Sequence, residues 1–329
     1  MPITEVFCPL RIVDSQMFGG QGEGDGLFVL LLCHIISLVM KVLVSADLHY
    51  DIARSRGPAE GLIAEACDIG GDAIVLVGDT AGARLGPLAD ALDLLNDFGG
   101  RKLMVPGNHC LWCRDEDDSL DRYERIIPEL AGRHGFEVLD TAPVVCGPVG
   151  FVGSVGWYDY SFADEELGIP KAFYEAKVSP GAASQMSSLR HLLSEYRNEI
   201  SDRALALRAR WMDGRYVKLP MSDLEFCQLL ADKLAAQLAD LAREVDRIVA
   251  FMHHLPFAEL VPKDRPDRSA FAAAYLGSGI FGRVLLACPK VTHIYCGHSH
   301  WHGRENIGGV EVVNVGSTYT HKRLEILEI

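Results

Sequence analysis

Short apolar runs alternate with amphipathic stretches between residues 40 and 105 of this chain. Residues 42–45, 73–77 and 103–105 are rich in aliphatic side chains and each ends at a turn, the pattern of strands buried on both faces. Between the first two, Leu62, Ile63, Ala66 and Ile69 recur at helical spacing within 59–69; between the next two, Leu88, Ala91, Leu92, Leu95 and Phe98 do so within 88–98. Strand, helix, strand, helix predicts a layered α/β sheet.

The pattern loosens after the third strand. A helix is expected over 120–134, and 137–139, 144–146 and 149–153 read as short strands of a second sheet. Residues 182–246 are mostly helical in pattern, with two amphipathic runs at 186–212 and 223–250 separated by Gly214 and Pro220. The second run turns apolar and β-branched over 247–252, where a strand is expected just before His253 and His254. Further strands are expected at 291–296, 310–315 and 323–329. The segment of about 160–246 reads as a helical insertion, serving either as a lid on one side of the site or as a homo-oligomer contact.

Residues 27–39 are almost wholly apolar, but a membrane helix needs ~20 such residues and His34 interrupts this one. Glu5, Asp14, Glu23 and Asp25 with a lone Arg11 do not make a secretory start. Met40-Lys41-Val42-Leu43-Val44 looks like a first strand beginning at an initiator methionine. The expected organisation is therefore a peripheral N-terminal extension over 1–39, with a tail packed on the domain or a weak membrane anchor as the alternatives, no membrane partner expected, and one domain over 40–329 that carries the insertion.

At 329 residues, 49% hydrophobic and 23% charged, the chain has the composition of a globular protein with a sizeable core. Lys and Arg number 31 against 45 Asp and Glu, a net charge of −14, which argues against a nucleic-acid or anionic-lipid partner. It leaves phosphate substrates open, because bound cations dominate the field at such a site. Nine scattered cysteines without a regular framework point to a reducing cytoplasm. The one close pair, Cys110 and Cys113, reads as incidental thiols.

Five short segments carry the chemistry, each opening the loop after an expected strand: Asp47-Leu48-His49, Gly78-Asp79, Gly107-Asn108-His109, His253-His254 and Gly297-His298-Ser299-His300. Each alone is an ordinary turn or surface feature. Together they collect carboxylate and amide oxygens with imidazole nitrogens and no thiolate, a ligand set suited to Mn, Fe, Ni or Zn. Two ions held ~3.5–4 Å apart need such loops to converge, with a bridging carboxylate between them.

The ordered set resembles the calcineurin-like metallophosphoesterase superfamily over residues 40–329, interrupted by the insertion. That resemblance implies an α/β fold, a four-layer αββα sandwich of two mixed sheets, with two divalent ions at the strand ends and Mn favoured. It implies Asp47, His49 and His300 on the first metal, Asp79 as bridge, and Asn108, His298 and one of the paired histidines on the second; His253 is the expected ligand, with His254 open. His109 is similar to the family's outer histidine, which steadies the transition state or protonates the leaving oxygen. Asn314-Val315-Gly316-Ser317 resembles the family's closing turn, whereas Cys110 stands where many relatives have an acid.

The implied activity is hydrolysis of a small phosphomonoester or phosphodiester, nucleotide-like or cyclic, by attack of a metal-bound hydroxide. A non-catalytic binding platform of the same fold and a nuclease are the alternatives. The aromatic segment 156–162 is expected to pack in the core or as a docking seam for the helices, with stacking on a nucleobase as its other use.

Overall fold

Two sheets stack face to face with helices on both outer surfaces. The computed structural model describes residues 39–114, 118–263 and 266–329, so the expected N-terminal extension lies outside the described residues except for Val39. In chain order the strands are β1 (Lys41–Ser45), β2 (Ala73–Val77), β3 (Arg101–Val105), β4 (Phe136–Val138), β5 (Val144–Cys146), β6 (Val149–Ser154), β7 (Arg247–Met252), β8 (Val291–Cys296), β9 (Gly303–Ile307), β10 (Val310–Asn314) and β11 (Glu325–Glu328). The first sheet has the order β11-β1-β2-β3-β4 and the second β5-β6-β7-β8-β10-β9. Strands β1 to β4 run parallel, as do β6, β7, β8 and β10, while β11, β5 and β9 pair antiparallel at edges.

Alternation along the strands builds the layers. Val42, Val44, Val75, Val77, Leu103 and Val105 face inward and share a core with Phe151, Val249, Phe251, Tyr295 and Val313 of the second sheet. Leu43, Ile74, Leu76 and Met104 face outward and join Leu62, Ile63 and Ala66 of α1 (Ala53–Ile69) and Leu88 and Leu92 of α2 (Leu85–Asp93). On the far side Phe226, Leu230, Leu234 and Leu238 of α3 (Asp223–Leu241) belong with Val152, Ile248, Ala250 and Met252. The expected four-layer αββα arrangement of two mixed sheets is present.

Three expectations change, and one strand is unforeseen. The pattern of residues 137–139 predicts a strand of the second sheet, but β4 pairs with β3, because the helical stretch before it is a crossover that returns the chain parallel to the strand it left. The run 186–212 is not one helix: it breaks into Arg190–Glu195 and Asp202–Ala206, the latter capped by the Ser201 hydroxyl accepting from the Ala204 N–H at 2.9 Å. The run from 223 ends as a helix at Leu241 and, opened by a Ser222–Glu225 capping box, supplies the helix layer over β6 rather than a lid. Its buried stripe packs within the chain. The strand β9 was not foreseen; it is an exposed edge paired only with β10, where polar residues are tolerated.

The aromatic segment 156–162 packs inward, with Trp157, Tyr158, Tyr160 and Phe162 all buried. Trp157 Nε1 donates to Asp223 at the start of α3 at 2.9 Å, so the segment is a seam for the helices and does not present these rings to a nucleobase. Among the described residues no helix is long and apolar enough to cross a membrane.

Candidate metal centre

The parallel strands of both sheets deliver their following loops to one end of the sandwich. Asp47 and His49 follow β1, Asp79 follows β2, Asn108 and His109 follow β3, His253 follows β7, and His298 and His300 follow β8. Three groups of potential ligand atoms result: Asp47 with His49 and His300; His49 with Asp79 and His109; Asp79 with His253 and His298. Every site residue expected from sequence is therefore brought to this end, with Asn108 joining through its Oδ1, 3.1 Å from His253 Nε2.

Local backbone geometry is unusual where the ligand candidates sit. Asp47, His49, Asp79, His298 and His300 have φ of 56°, 45°, 45°, 67° and 56°, a left-handed region that costs non-glycine residues energy and that persists when surrounding contacts over-determine it. Those contacts are present: the His49 N–H donates to the Asp79 carbonyl at 2.8 Å, the His109 N–H to Asp79 Oδ1 at 2.9 Å, and the His298 N–H to the Asp47 carboxylate at 3.0 and 3.1 Å. The motif glycines make room. A Cβ on Gly78 would lie 2.0 Å from His253 Nδ1, and one on Gly107 would lie 2.1 Å from Asp79 Oδ1.

The polarity of the hydrogen bonds tests whether these residues fit a cation. His253 Nδ1 lies 3.3 Å from the Val77 carbonyl, which only accepts, so Nδ1 carries a proton. Its Nε2 then faces two oxygens, Asn108 Oδ1 at 3.1 Å and Asp79 Oδ1 at 3.4 Å. The Asn108 amide cannot turn to help, because its Nδ2 donates to Asp213 Oδ1 at 2.9 Å. Likewise His298 Nε2 is set against the Tyr275 carbonyl at 3.2 Å, leaving Nδ1 as its lone-pair nitrogen. Converging lone pairs of this kind fit a divalent ion, with each imidazole's other nitrogen held by a backbone carbonyl.

Burial sets the charges. It pushes the His49 and His298 pKa values well below the usual imidazole range and that of His300 down to about 4, which keeps these rings neutral. Burial lifts the Asp47 carboxyl to about 7, with Asp79 adding to the rise against the pull of His253. For Asp79 burial also works upward, but His109, His253 and His49 together hold it well below the carboxylate range. Burial would lower His253, yet Asp79, Asp47 and the Val77 carbonyl together raise the value. A proton on His253 is thus the electrostatic substitute for a cation.

His254 stands apart. Its Nδ1 lies 2.8 Å from the Val155 carbonyl, its ring packs 4.3 Å from that of His298, and burial drives its pKa to about 3. It joins none of the three groups. His109 places Nε2 3.8 Å from Asp79 Oδ2 and stacks on Trp112 with ring centroids 3.6 Å apart. Cys110, at the position where an acid was expected by resemblance, is fully buried and its thiol is pushed up to about 11. Cys110 is free.

Sequence reasoning missed several residues around the centre. Tyr319 sits 4.8 Å from the His49 ring and 5.0 Å from that of His300, with the Arg54 guanidinium 4.5 Å over its face. Lys322 donates to the Asp47 carbonyl at 2.6 Å, and burial lowers its pKa to about 8. Asp213 holds Asn108, as above. None lies in a strand-end motif; the nearest signal was the Asn314–Ser317 turn, a few residues ahead of Tyr319 and Lys322.

A family model described as calcineurin-like phosphoesterase matches residues 40–302. Among solved structures, the chain is similar to a phosphopantetheinyl hydrolase from Mycobacterium tuberculosis, with a TM-score of 0.60 and 21% identity over 85% of this chain and 90% of that one. It is also similar to the protein TT1561 of Thermus thermophilus, with a TM-score of 0.50 and 15% identity over 88% of this chain and 99% of that one. A dimetal phosphatase from Danio rerio gives a TM-score of 0.45 and 18% identity over 85% and 88%. At these identities the likeness is one of fold. No curated protein matches the chain by sequence.

Proposed function

The chain belongs to the calcineurin-like phosphoesterase family, and on that premise we propose that it hydrolyses a small phosphomonoester or phosphodiester at a site holding two divalent ions. The observation that carries this reading is the division of Asp79: Oδ1 faces His253 at 3.4 Å, while Oδ2 faces His49 at 3.7 Å and His109 at 3.8 Å. A carboxylate whose two oxygens serve different groups of imidazoles suits a bridge.

In this reading Asp47, His49 and His300 hold one ion, and Asn108, His253 and His298 hold the other. Two such ions supply Lewis acidity toward phosphoryl oxygens and an acidified water. The protein's own work is positional. Neutral His49, His298 and His300 present lone pairs at pH 7, and Asp47 and Asp79 supply negative charge fixed by backbone N–H groups. His109, partly exposed and held flat on Trp112, would give a proton to the leaving oxygen or steady charge on the transferring group. Arg54 and Tyr319 beside the centre suit the anionic and planar parts of a nucleotide-like ester.

The test is an assay of purified protein with Mn²⁺ against p-nitrophenyl phosphate and bis(p-nitrophenyl) phosphate. Chelator-sensitive release of nitrophenol from at least one is expected, and the preferred ester separates monoesterase from diesterase. Tight metal binding without turnover on either would favour a binding platform instead.

A further inference from the structure

We propose that Asp213 is a positioning residue for this centre: one oxygen of its carboxylate orients both Asn108 and the Trp112 plane that carries His109. The inference rests on the two-metal reading above and deepens it. Asp213 lies in the short helix Asp213–Tyr216, ahead of α3 and outside all five strand-end motifs, and is 1% exposed. Its Oδ1 accepts from Asn108 Nδ2 at 2.9 Å and Trp112 Nε1 at 2.6 Å. Its Oδ2 accepts from Trp211 Nε1 at 2.7 Å and Tyr158 OH at 3.1 Å.

The chemistry of the four donors explains why the residue is an acid. An Asn amide has nearly the same shape when flipped, so its orientation is decided by its neighbours. A carboxylate accepts only; it takes Nδ2 and leaves Asn108 Oδ1 directed at His253 Nε2, 3.1 Å away. An amide at position 213 would set an N–H against a donor on one side or the other. Burying a carboxylate is costly, and four converging donors offset that cost. The same Oδ1 fixes the indole on which His109 stacks at 3.6 Å. The segment between β6 and α3 therefore reaches the centre as a hydrogen-bonded support, through Asp213.

The experiment compares Asp213→Asn with Tyr158→Phe in the full chain, titrating metal-free protein with Mn²⁺ by calorimetry and reading the bound ions by electron paramagnetic resonance. Asp213→Asn should keep the first equivalent, bind the second ~10–100-fold more weakly, and lose the signal of a coupled ion pair at Mn²⁺ levels that fill the wild type. Tyr158→Phe removes a bond to Oδ2 only and should bind both equivalents as the wild type does. Wild-type affinity in Asp213→Asn, or an equal loss in both variants, would overturn the proposal, the second by reducing Asp213 to a tie that holds the segment in place. If circular dichroism shows Asp213→Asn unfolded, Asp213→Glu, which keeps the charge but displaces the oxygens, carries the same expectation and the same refutation. A wild type that never takes up two Mn²⁺ ions would sink the two-metal reading itself, a distinguishable result.

Discussion

Nε2 of His49 lies 3.0 Å from Nε2 of His300, although the two residues are 251 positions apart in the chain. Burial keeps both rings neutral near pH 7, so a single proton is all that can lie between those nitrogens. Placed on His49 Nε2, it leaves His49 Nδ1 buried as a bare acceptor with no partner. A cation that takes both Nε2 lone pairs removes the contest between those two nitrogens. The same demand arises at His253, whose Nε2 faces the oxygens of Asn108 and Asp79.

Asp79→Asn should lower turnover by several orders of magnitude and weaken both ions, because each oxygen of Asp79 serves a different group. His109→Ala should keep both ions and lose ~10²–10⁴-fold in kcat. Metal content and kcat, measured on the same preparations, check the pair. Full turnover in Asp79→Asn would contradict the role given to that carboxylate.

The paired histidines should separate cleanly. His253→Ala removes the nitrogen nearest Asp79 and Asn108 and should lose the second ion with most of the activity. His254→Ala opens a cavity behind His298 and should cost stability, on the order of 1–3 kcal/mol, while retaining two ions. Plasma emission analysis of the metal in each variant, beside urea unfolding, distinguishes them; the reverse pattern would make His254 the ligand.

Metal affinity should fall as the medium becomes acidic. Burial works to lower the His253 pKa but Asp79, Asp47 and the Val77 carbonyl together raise it, so metal-free protein holds a proton that an ion must displace. The Mn²⁺ affinity should weaken by up to ~10-fold per pH unit below that raised pKa for each proton displaced, and level off above it. Calorimetry in buffers of different ionisation enthalpy counts the protons released. An affinity independent of pH from roughly 6 to 9 would contradict this linkage.

Asp47 sets stability against function. Its folded pKa, lifted by burial to about 7, lies above the ordinary value of 3.8, so the folded state holds the proton more tightly than the unfolded chain does. Metal-free stability should therefore fall as pH rises through that window, with the full penalty present above about 7. Asp47→Asn removes the penalty and should stabilise metal-free protein at alkaline pH by up to ~4 kcal/mol, the gain vanishing in acid, while metal binding is lost. Urea midpoints across the pH range check it; an alkaline destabilisation by the variant would reverse the assigned sign.

Legibility in the sequence tracked locality. The strand-end segments were readable because each is a buried aliphatic run followed at once by a polar turn, so strand and candidate ligand are specified within a few residues of each other. Sheet membership of β4 was not, since the local pattern of Glu137 to Leu139 is the same in either sheet and pairing with β3 is decided by the crossover before it. Residues 186–212 carry helix-spaced apolar positions, but these belong to several short helices whose ends are set by Ser201 and by packing around Phe173 and Ala183. Asp213 gives no ligand-type spacing at all; its place emerges only when Asn108 and Trp112 of the loop after β3, Tyr158 and the neighbouring Trp211 converge on it.

The most direct measurement is the stoichiometry of Mn²⁺ bound by metal-depleted protein at neutral pH, wild type beside Asp79→Asn. Two tightly held ions per chain in the wild type, with both weakened together in the variant, is the predicted result. A wild-type protein that retains no ion after reconstitution, or a variant that holds two as firmly as its parent, would contradict the account.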